Sequence, residues 1–330
     1  MESFIFAVNA VLPIILMVAL GYTLKRCGFM NEGFAKMANR IVFRILLPAM
    51  LFLNIYKIED MGNVDLFYIF YVFLALVIIF IVALPLCLLL TKKAERRGVL
   101  LQAAYRSNYA LIGIPLAQSL YGEEGVMIAT LLSAAIIPSL NILAVISLSI
   151  FKEDHGRVSP KKICLEIAKN PLILAVMTGL CVLGVRSLFS SLDISFRMSS
   201  ITPLYTVLGY LSNTATPLSL LVLGAQFEFS AIKTLRREII AGVLLRAAIV
   251  PAIGLGVAYF FFFPSHFHGA HFAAFVAMFA TPVAVSSVPM AQEMNSDAVL
   301  AGQLVVWTTI ASAFSVFIAA FLLKLGGVFG

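Results

Sequence analysis

The chain has 330 residues, of which 62% are hydrophobic and only 12% are charged. Ordinary soluble domains carry about 25% charged residues, so this chain has too little polar material to cover a globule in water. Its formal net charge of +7 would suit a nucleic-acid partner, but in a lipid-embedded chain excess lysine and arginine decorate cytoplasmic loops. Composition therefore predicts a polytopic membrane protein that contacts the lipid bilayer and no nucleic acid.

Runs of about 20 mainly apolar residues, the length that crosses a bilayer, predict ten transmembrane helices. The first half is expected to hold the spans 4–24, 34–56, 66–90, 98–120 and 125–151. The second half is expected to hold the spans 166–186, 202–227, 239–263, 271–293 and 298–323. Eight or nine spans is the alternative if a broken helix does not cross fully.

Charged residues in the predicted loops indicate the orientation. With the N-terminus outside, sixteen lysines and arginines fall on the inner side and four on the outer side. The positive-inside rule then predicts that both termini lie outside, in a multi-pass protein of the cell membrane. All sixteen Asp and Glu lie in loops or at span ends, which argues against a cation carrier or a carboxylate proton relay. A coupling ion, sodium or proton, is left open.

Motifs for catalysis or cofactor binding are missing from the sequence. The four cysteines lie far apart and form no CxxC pair, so we expect neither a disulfide framework nor a metal site. There is no phosphate-binding loop, HExxH motif or nucleophile elbow. We therefore expect no cofactor and no enzyme activity.

An internal repeat is visible in the sequence. IPLAQSLYGEEGVM (114–127) aligns with VPMAQEMNSDAVLA (288–301) at a constant offset of 174. The same offset pairs Asn39 with Asn213. The sequence therefore predicts that the second half of the chain is a copy of the first.

The repeat divides the chain into two units of five helices. We expect them at 1–151 and 166–330, joined by a short cytoplasmic loop at 152–165, with 187–201 as an insertion. An odd number of spans places the two copies in opposite orientations across the membrane. Inverted repeats are typical of secondary transporters, whose substrate site lies near the midplane between the copies.

The fourth and ninth predicted spans are interrupted by polar residues, glycine and proline. Proline breaks or kinks a helix, and such breaks survive in lipid where they are buried or line a polar cavity. We expect each second half-helix to begin near a proline and to point its N–H groups at the midplane, where two converging N-termini favour an anion. The candidate residues are Ser107, Asn108, Gly113 and Pro115 in the fourth span and Thr281, Pro282, Ser286, Ser287 and Pro289 in the ninth.

Three arginines, Arg44, Arg106 and Arg246, lie inside predicted spans. A charge at a helix centre costs about 2.5–3.5 kcal/mol on insertion scales, so each needs an explanation. For Arg106, a place in the substrate site and snorkelling to the interface are both open, whereas snorkelling is favoured for Arg246. Arg44 is expected to face the substrate path or to pair with backbone carbonyls. A guanidinium in the path would suit bidentate recognition of a carboxylate.

The segment NYALIGIPLAQSLYG resembles the fourth-helix signature of the auxin efflux carrier family. PVAVSSVPMAQEMNSDAVLAGQLVV resembles the ninth and tenth helices of that family, and LSNTATPLSLLVLGAQF resembles the seventh. The resemblance covers essentially the whole chain. It implies an all-α fold of ten helices in two inverted repeats, similar in outline to bile-acid and sodium–proton transporters.

The same resemblance implies a division of labour. Helices 1, 2, 6 and 7 would form a scaffold, helices 3–5 and 8–10 a moving transport domain, and two scaffolds a homodimer. The substrate would bind where helices 4 and 9 cross. Bacterial members are linked to malate and malonate, and plant PIN-type members to auxin. The short central loop of this chain favours a compact permease.

These observations together predict a secondary transporter that moves a small mono- or dicarboxylate by elevator-type alternating access. Asn213 and Thr214 of the seventh span are added to the candidate substrate-binding residues named above. An auxin-like exporter of aromatic carboxylates is the alternative within this class. An anion channel and a non-transporting receptor are the alternatives of another class.

Overall fold

The computed structural model describes residues 2–57, 66–151, 165, 168–192 and 197–329. Within these ranges the chain is helical, apart from turns and one isolated bridge between two extended residues. The helices of the first half are α1 (Glu2–Arg26), α2 (Glu32–Tyr56), α3 (Leu66–Leu90), α4 (Ala94–Tyr105) and α5 (Tyr109–Ser149). Those of the second half are α6 (Pro171–Ser191), α7 (Thr202–Ala225), α8 (Arg236–Phe262), α9 (Gly269–Phe279), α10 (Ser287–Glu293) and α11 (Ala298–Leu325).

Seven of the helices in the described ranges are long and apolar enough to cross a membrane, namely α2, α3, α5, α6, α7, α8 and α11. This confirms an all-helical protein with several apolar helices, whereas the count of ten spans stays a prediction. The short helices α4, α9 and α10 border two interruptions of the chain. Helices α2, α5 and α8 each contain a five-residue π-helical segment, a feature often found near functional sites.

The bend within α5 separates the predicted fourth and fifth spans. Tyr121 and Gly122 have non-helical backbone angles, and the φ of Gly122 is +60° with ψ −148°. A side chain strongly disfavours that conformation, whereas glycine adopts it freely. The expected boundary between 120 and 125 is therefore set by Gly122.

The sixth helix lies several residues later than expected. The predicted span was 166–186, but α6 begins at Pro171, where the Asn170 side chain accepts a hydrogen bond of 3.0 Å from the Leu172 amide. An asparagine cap followed by proline at the first helical position is a strong start signal. The first five residues of the predicted insertion 187–201 are therefore helical. The predicted loop 152–165 lies outside the described residues except for position 165.

The helices form two groups. In the first, α1 packs along α7 and α6 packs along α2, so each pair joins one helix from each half of the chain. In the second, α9 packs along α5, and α11 packs against α8 and α10. All eleven residues of α9 are buried, as expected for a helix that is apolar on every face.

Glycines set the close approach of α1 and α7. A methyl group added at Gly224 would overlap the backbone carbonyl of Val18, and one added at Gly21 would overlap that of Leu221. Small residues at such crossings let helix backbones approach each other in lipid, where packing rather than hydrophobic burial drives association.

We expect Gly224→Ala to lower the melting temperature of the detergent-purified protein, because the new methyl group meets backbone that cannot turn aside. Overpacking of this kind typically costs about 1–3 kcal/mol. The control is Gly209→Ala on the same helix, where nothing lies within 4 Å of the added carbon. Alanine is the better helix former, so the control should melt at the same temperature or higher. Equal melting of the two variants would contradict the close crossing.

Candidate functional site

The two chain interruptions meet and pair with each other. Ser107, after α4, forms an isolated antiparallel bridge with Val283, between α9 and α10. The Asn108 amide donates to the Pro282 carbonyl at 2.8 Å, and the Ala284 amide donates to the Arg106 carbonyl at 3.2 Å. Backbone groups freed by a broken helix need partners inside a membrane, and here each break supplies them to the other.

Arg246, on α8, stabilises this crossing through hydrogen bonds. Its side chain is fully buried, and its guanidinium donates to the carbonyls of Thr281 (2.7 Å), Met278 (2.7 Å) and Ala104 (3.3 Å). These carbonyls belong to the C-terminal ends of α4 and α9, which carry partial negative charge. The snorkelling interpretation of Arg246 is therefore wrong, because two broken helices provide the partners that the charge needs.

Arg106 lies at the same crossing but has different partners. It is 2% exposed and donates to the side-chain oxygens of Gln102 (3.0 Å), Asn141 (2.9 Å), Ser286 (2.9 Å) and Ser287 (3.2 Å). All four partners are neutral, and within the described ranges no carboxylate forms an ion pair with it. Snorkelling is thus wrong for Arg106 as well, and its positive charge is buried without a counter-charge from the described chain.

A small cavity adjoins Arg106. Its volume is about 60 Å³, and the polar residues along its wall include Asn54, Asn108, Asn141 and Ser286. The side-chain nitrogen of Asn108 is buried and has no hydrogen-bond partner in the part of the chain that the structure describes. A residue of the cavity wall therefore carries a buried amide donor without a partner, and Arg106 lines the same cavity.

A larger cavity of about 680 Å³ continues from the small one, since Asn54, Asn108 and Ser286 line both. Helices α1, α2 and α7 form one wall of it and the start of α5 forms the other. Asn213 and Pro115 contribute to these two walls. The cavity thus lies between the two helix groups and leads to Arg106.

The structure brings together part of the predicted site. Arg106 and Ser107 line the small cavity, Pro115 and Asn213 the large one, and Asn108 and Ser286 both. Seven predicted residues lie elsewhere: Gly113, Thr281, Pro282, Ser287, Pro289, Thr214 and Arg44. Of these, Thr281, Pro282 and Ser287 still act at the crossing through the hydrogen bonds given above.

Three of the outlying residues have structural roles. Gly113 packs against Ala277 of α9 so closely that an added methyl group would lie 3.0 Å from its carbonyl. Thr214 is exposed and donates to the Tyr210 carbonyl of its own helix at 2.7 Å. Arg44 is also exposed and lies 3.6 Å from the Glu293 carboxylate, so it pairs with a side chain rather than with the backbone carbonyls considered above.

Each half-helix begins near a proline as expected, since the α-helical part of α5 begins at Ile114 with Pro115 in its first turn and α10 begins at Ser287, two residues before Pro289. The π-helical segment of α5 starts earlier, at Tyr109, six residues before Pro115, and Ala110 lines both cavities. At α10 the first amides are already used, because Ser287 donates to Ala284 at 3.0 Å and Val288 to Val285 at 3.2 Å. The N-terminus of α5 therefore faces the cavity. The first amides of α10 instead donate to carbonyls of the turn that precedes the helix.

Sequence reasoning missed Gln102, Asn141 and Asn54. Gln102 precedes Arg106 by four residues, the spacing that brings side chains together on one helix face. Asn141 and Asn54 are amides inside apolar spans, and polar residues in such places usually face the protein interior or a cavity. That signal was available, but it does not say which arginine or which cavity the amides serve.

Loss of Arg246 should unfold the crossing. We expect Arg246→Leu to yield little folded protein, because three buried carbonyls lose their donor and each costs about 1–3 kcal/mol. Arg237→Leu is the control: it lies on the same helix, is exposed, and donates only a 3.4 Å bond to the Leu89 carbonyl. The readout is the yield of monodisperse protein and its melting temperature. Wild-type stability of Arg246→Leu would contradict the stabilising role.

Comparisons with known proteins agree with this architecture. The family model described as membrane transport protein matches residues 6–320. An uncharacterized transporter of Methanothermobacter thermautotrophicus is 25% identical over 331 residues, which cover 94% of this chain and 97% of the relative. An uncharacterized transporter of Methanocaldococcus jannaschii is 28% identical over 230 residues, 68% of this chain and 70% of the relative. The chain therefore belongs to the membrane transport protein family, that of the auxin efflux carriers.

Proposed function

We propose that the protein is a secondary transporter that moves a small mono- or dicarboxylate across the cell membrane by elevator-type alternating access. The observation that carries this proposal is the guanidinium of Arg106, which is buried at a cavity and surrounded by neutral oxygens. Family membership supports a membrane transporter. The substrate class rests on the chemistry of the cavity wall.

The donors at the cavity favour an anion with paired oxygens. A buried charge without a partner is costly. A carboxylate that pairs with Arg106 is therefore bound more tightly than it would be by a neutral donor. The unpartnered amide nitrogen of Asn108, in the same chain interruption as Arg106, adds a second donor. A carboxylate accepts both, since it has about four acceptor sites and no donor when ionised.

Helix packing supports the inverted repeat. The two interruptions lie at the offset of 174 found in the sequence, which takes Asn108 to Pro282. The packing also exchanges between halves, because α1 packs on α7 whereas α6 packs on α2. If a two-fold axis relates the copies, it maps α1 onto α6 and α7 onto α2. The contact of α1 with α7 is then repeated as the contact of α6 with α2. We therefore keep ten spans in two inverted copies as part of the proposal.

The two helix groups fit the roles of scaffold and transport domain. Helices α1, α2, α6 and α7 pack together and would form the scaffold and the surface of a homodimer. The remaining helices contain the crossing and would move with the substrate. The large cavity lies where the two groups face each other, which is where such a movement would expose and cover the site.

Away from the large cavity, a cluster of side-chain amides closes the boundary between the two helix groups. The Asn39 side-chain nitrogen donates to the side-chain oxygens of Gln226, at 2.9 Å, and Gln292, and the Gln226 nitrogen donates to the Gln292 oxygen at 3.1 Å. Next to it, Glu293 lies 3.9 Å from Arg40 as well as pairing with Arg44. These contacts tie α10 to α2 and α7 across the boundary between the groups.

A separate cavity of about 200 Å³ lies beyond the cluster and includes Lys25 and Lys36 in its wall. It shares no lining residue with the two cavities at the crossing. With both termini outside, as the loop charges predict, the lysines are cytoplasmic and the large cavity opens outward. The conformation would then be outward-facing, with the amide cluster as the inner closure.

The closure also weighs against the channel alternative. An open anion channel needs a continuous path, whereas here the two sides are separated by hydrogen-bonded side chains. A receptor needs no second cavity. The alternative of an aromatic carboxylate exporter remains compatible with a cavity of about 680 Å³ and is decided by the substrate test. The coupling ion, sodium or proton, is decided by the same test.

The test is uptake of radiolabelled malate, malonate, lactate and indole-3-acetate into proteoliposomes with imposed sodium, pH or voltage gradients. We expect saturable uptake of at least one acid, inhibited by excess unlabelled acid. Flux that does not saturate and gives single-channel currents would replace the transporter with a channel. Absence of uptake of every acid by correctly folded protein would overturn the carboxylate proposal.

Removal of the unused donor should impair transport without unfolding the protein. We expect Asn108→Ala to lower uptake about 10–100-fold, the effect of losing one hydrogen bond to a charged group. Thr214→Ala is the control, because its side chain is exposed and bonds its own helix. Both variants should match the wild type in membrane expression. Wild-type uptake by Asn108→Ala would remove this residue from the site.

A built-in counter-charge should compete with the substrate. In Asn141→Asp a carboxylate replaces the amide oxygen that lies 2.9 Å from the Arg106 guanidinium. We expect the apparent affinity for the transported acid to fall at least about tenfold, because Arg106 is then already paired. Asn141→Ser keeps a neutral acceptor and should lose much less. Equal affinity in the Asp and Ser variants would show that the charge of Arg106 does not bind the substrate.

A further inference from the structure

We propose, on the basis of the transporter function above, that the protein is an obligatory exchanger of monovalent anions. The site would cross the scaffold when a carboxylate neutralises Arg106, and it would not return empty. The inference concerns what limits the movement of the site rather than what binds there.

The lining of the two cavities contributes one positive charge that would move. Of the residues that line the two adjoining cavities, the charged ones are Arg106 and Lys57, and both are basic. Lys57 follows the last residue of α2, so it would stay with the scaffold. Arg106 lies between α4 and α5 and would travel with the transport domain. The empty site therefore carries one positive charge without a counter-charge among the described residues of the cavity lining, because Glu293 of α10 pairs instead with Arg40 and Arg44 of the scaffold.

The scaffold surface that this charge must pass presents apolar side chains and neutral polar ones, among them Asn39 and Gln226 of the amide cluster. No carboxylate of the described residues lines the two cavities. Leu47, Met50 and Leu51 of α2 line the small cavity next to Arg106. On α7, Leu220 lines the large cavity and Leu223 lines the cavity on the other side of the amide cluster. These side chains therefore extend along the route between the two cavities. An unpaired ion against such a surface loses hydration and gains no counter-charge.

A bound monoanion removes this obstacle. Its carboxylate and the guanidinium form a neutral pair whose hydrogen bonds are satisfied by each other, by Asn108 and by the serines of α10. A dianion would instead leave the loaded site with one unpaired negative charge against the same scaffold surface. The loaded site with a single negative charge is thus the species that crosses most readily, and lactate is a suitable probe of it.

The experiment measures uptake of radiolabelled lactate by proteoliposomes that either contain unlabelled lactate or contain none. We expect the preloaded vesicles to take up label at least about tenfold faster, since the penalty for moving an unpaired ion is large. We also expect lactate exchange to be insensitive to a potassium–valinomycin voltage, because the loaded site carries no net charge. Exchange of doubly charged malonate should be slower than that of lactate.

The outcomes separate this inference from the transporter function itself. Saturable uptake that is equally fast with and without internal lactate would overturn obligatory exchange and leave the transporter intact. Faster exchange of malonate than of lactate would overturn the preference for a monoanion. No uptake of any acid under either condition would overturn the transporter function, and the inference with it.

Two variants of Arg106 test whether its charge is the cause. Arg106→Lys keeps the positive charge but loses the planar guanidinium that can bind a carboxylate through two hydrogen bonds. Arg106→Gln loses the charge. Both should transport more slowly, so the readout is the ratio of uptake with and without internal lactate rather than the rate. We expect the ratio to stay high in the Lys variant and to approach one in the Gln variant. A ratio in the Gln variant as high as in wild type would overturn the electrostatic origin of exchange.

Discussion

Breaking a helix inside lipid frees carbonyl and amide groups that have no water to bind, and this protein breaks two helices at one place. Their extended residues pair with each other across the Ser107–Val283 bridge. The carbonyls at the ends of α4 and α9 converge on Arg246. Its planar guanidinium holds several N–H donors in a fixed geometry, so one side chain can bind all three carbonyls. Everything else at the site depends on this arrangement, because it gives partners to backbone groups that the two breaks free beside a cavity.

The crossing also gives its two arginines opposite tasks. Arg246 is bound by backbone oxygens at helix C-termini, where a positive charge is stabilised. Arg106 is held by neutral side-chain oxygens of Gln102, Asn141 and two serines, which fix its orientation without neutralising it. The first charge therefore supports the fold, and the second remains available to a ligand. In the proposed function, an anion would provide for Arg106 the acceptors that carbonyl groups provide for Arg246.

The helical class, the two breaks and their positions could be predicted because proline, glycine and asparagine act locally. The start of α6 was missed although its Asn170–Pro171 signal is local too, since hydropathy places spans only within a few residues. The roles of Arg246 and Asn141 are different: their partners lie from 32 to 142 residues away in the chain. Residue type and depth indicated that such groups need partners, but only the packed structure says which partners they have.

The proposed transport depends most on binding of the substrate carboxylate by Arg106. A cryo-electron microscopy structure of the protein in lipid nanodiscs, saturated with the acid that is transported best, tests this directly. We expect density for the acid in the cavity beside α4 and α5, with carboxylate oxygens within hydrogen-bond distance of the Arg106 guanidinium and of the Asn108 amide. Density for the acid elsewhere, or a protein carboxylate paired with Arg106, would contradict it.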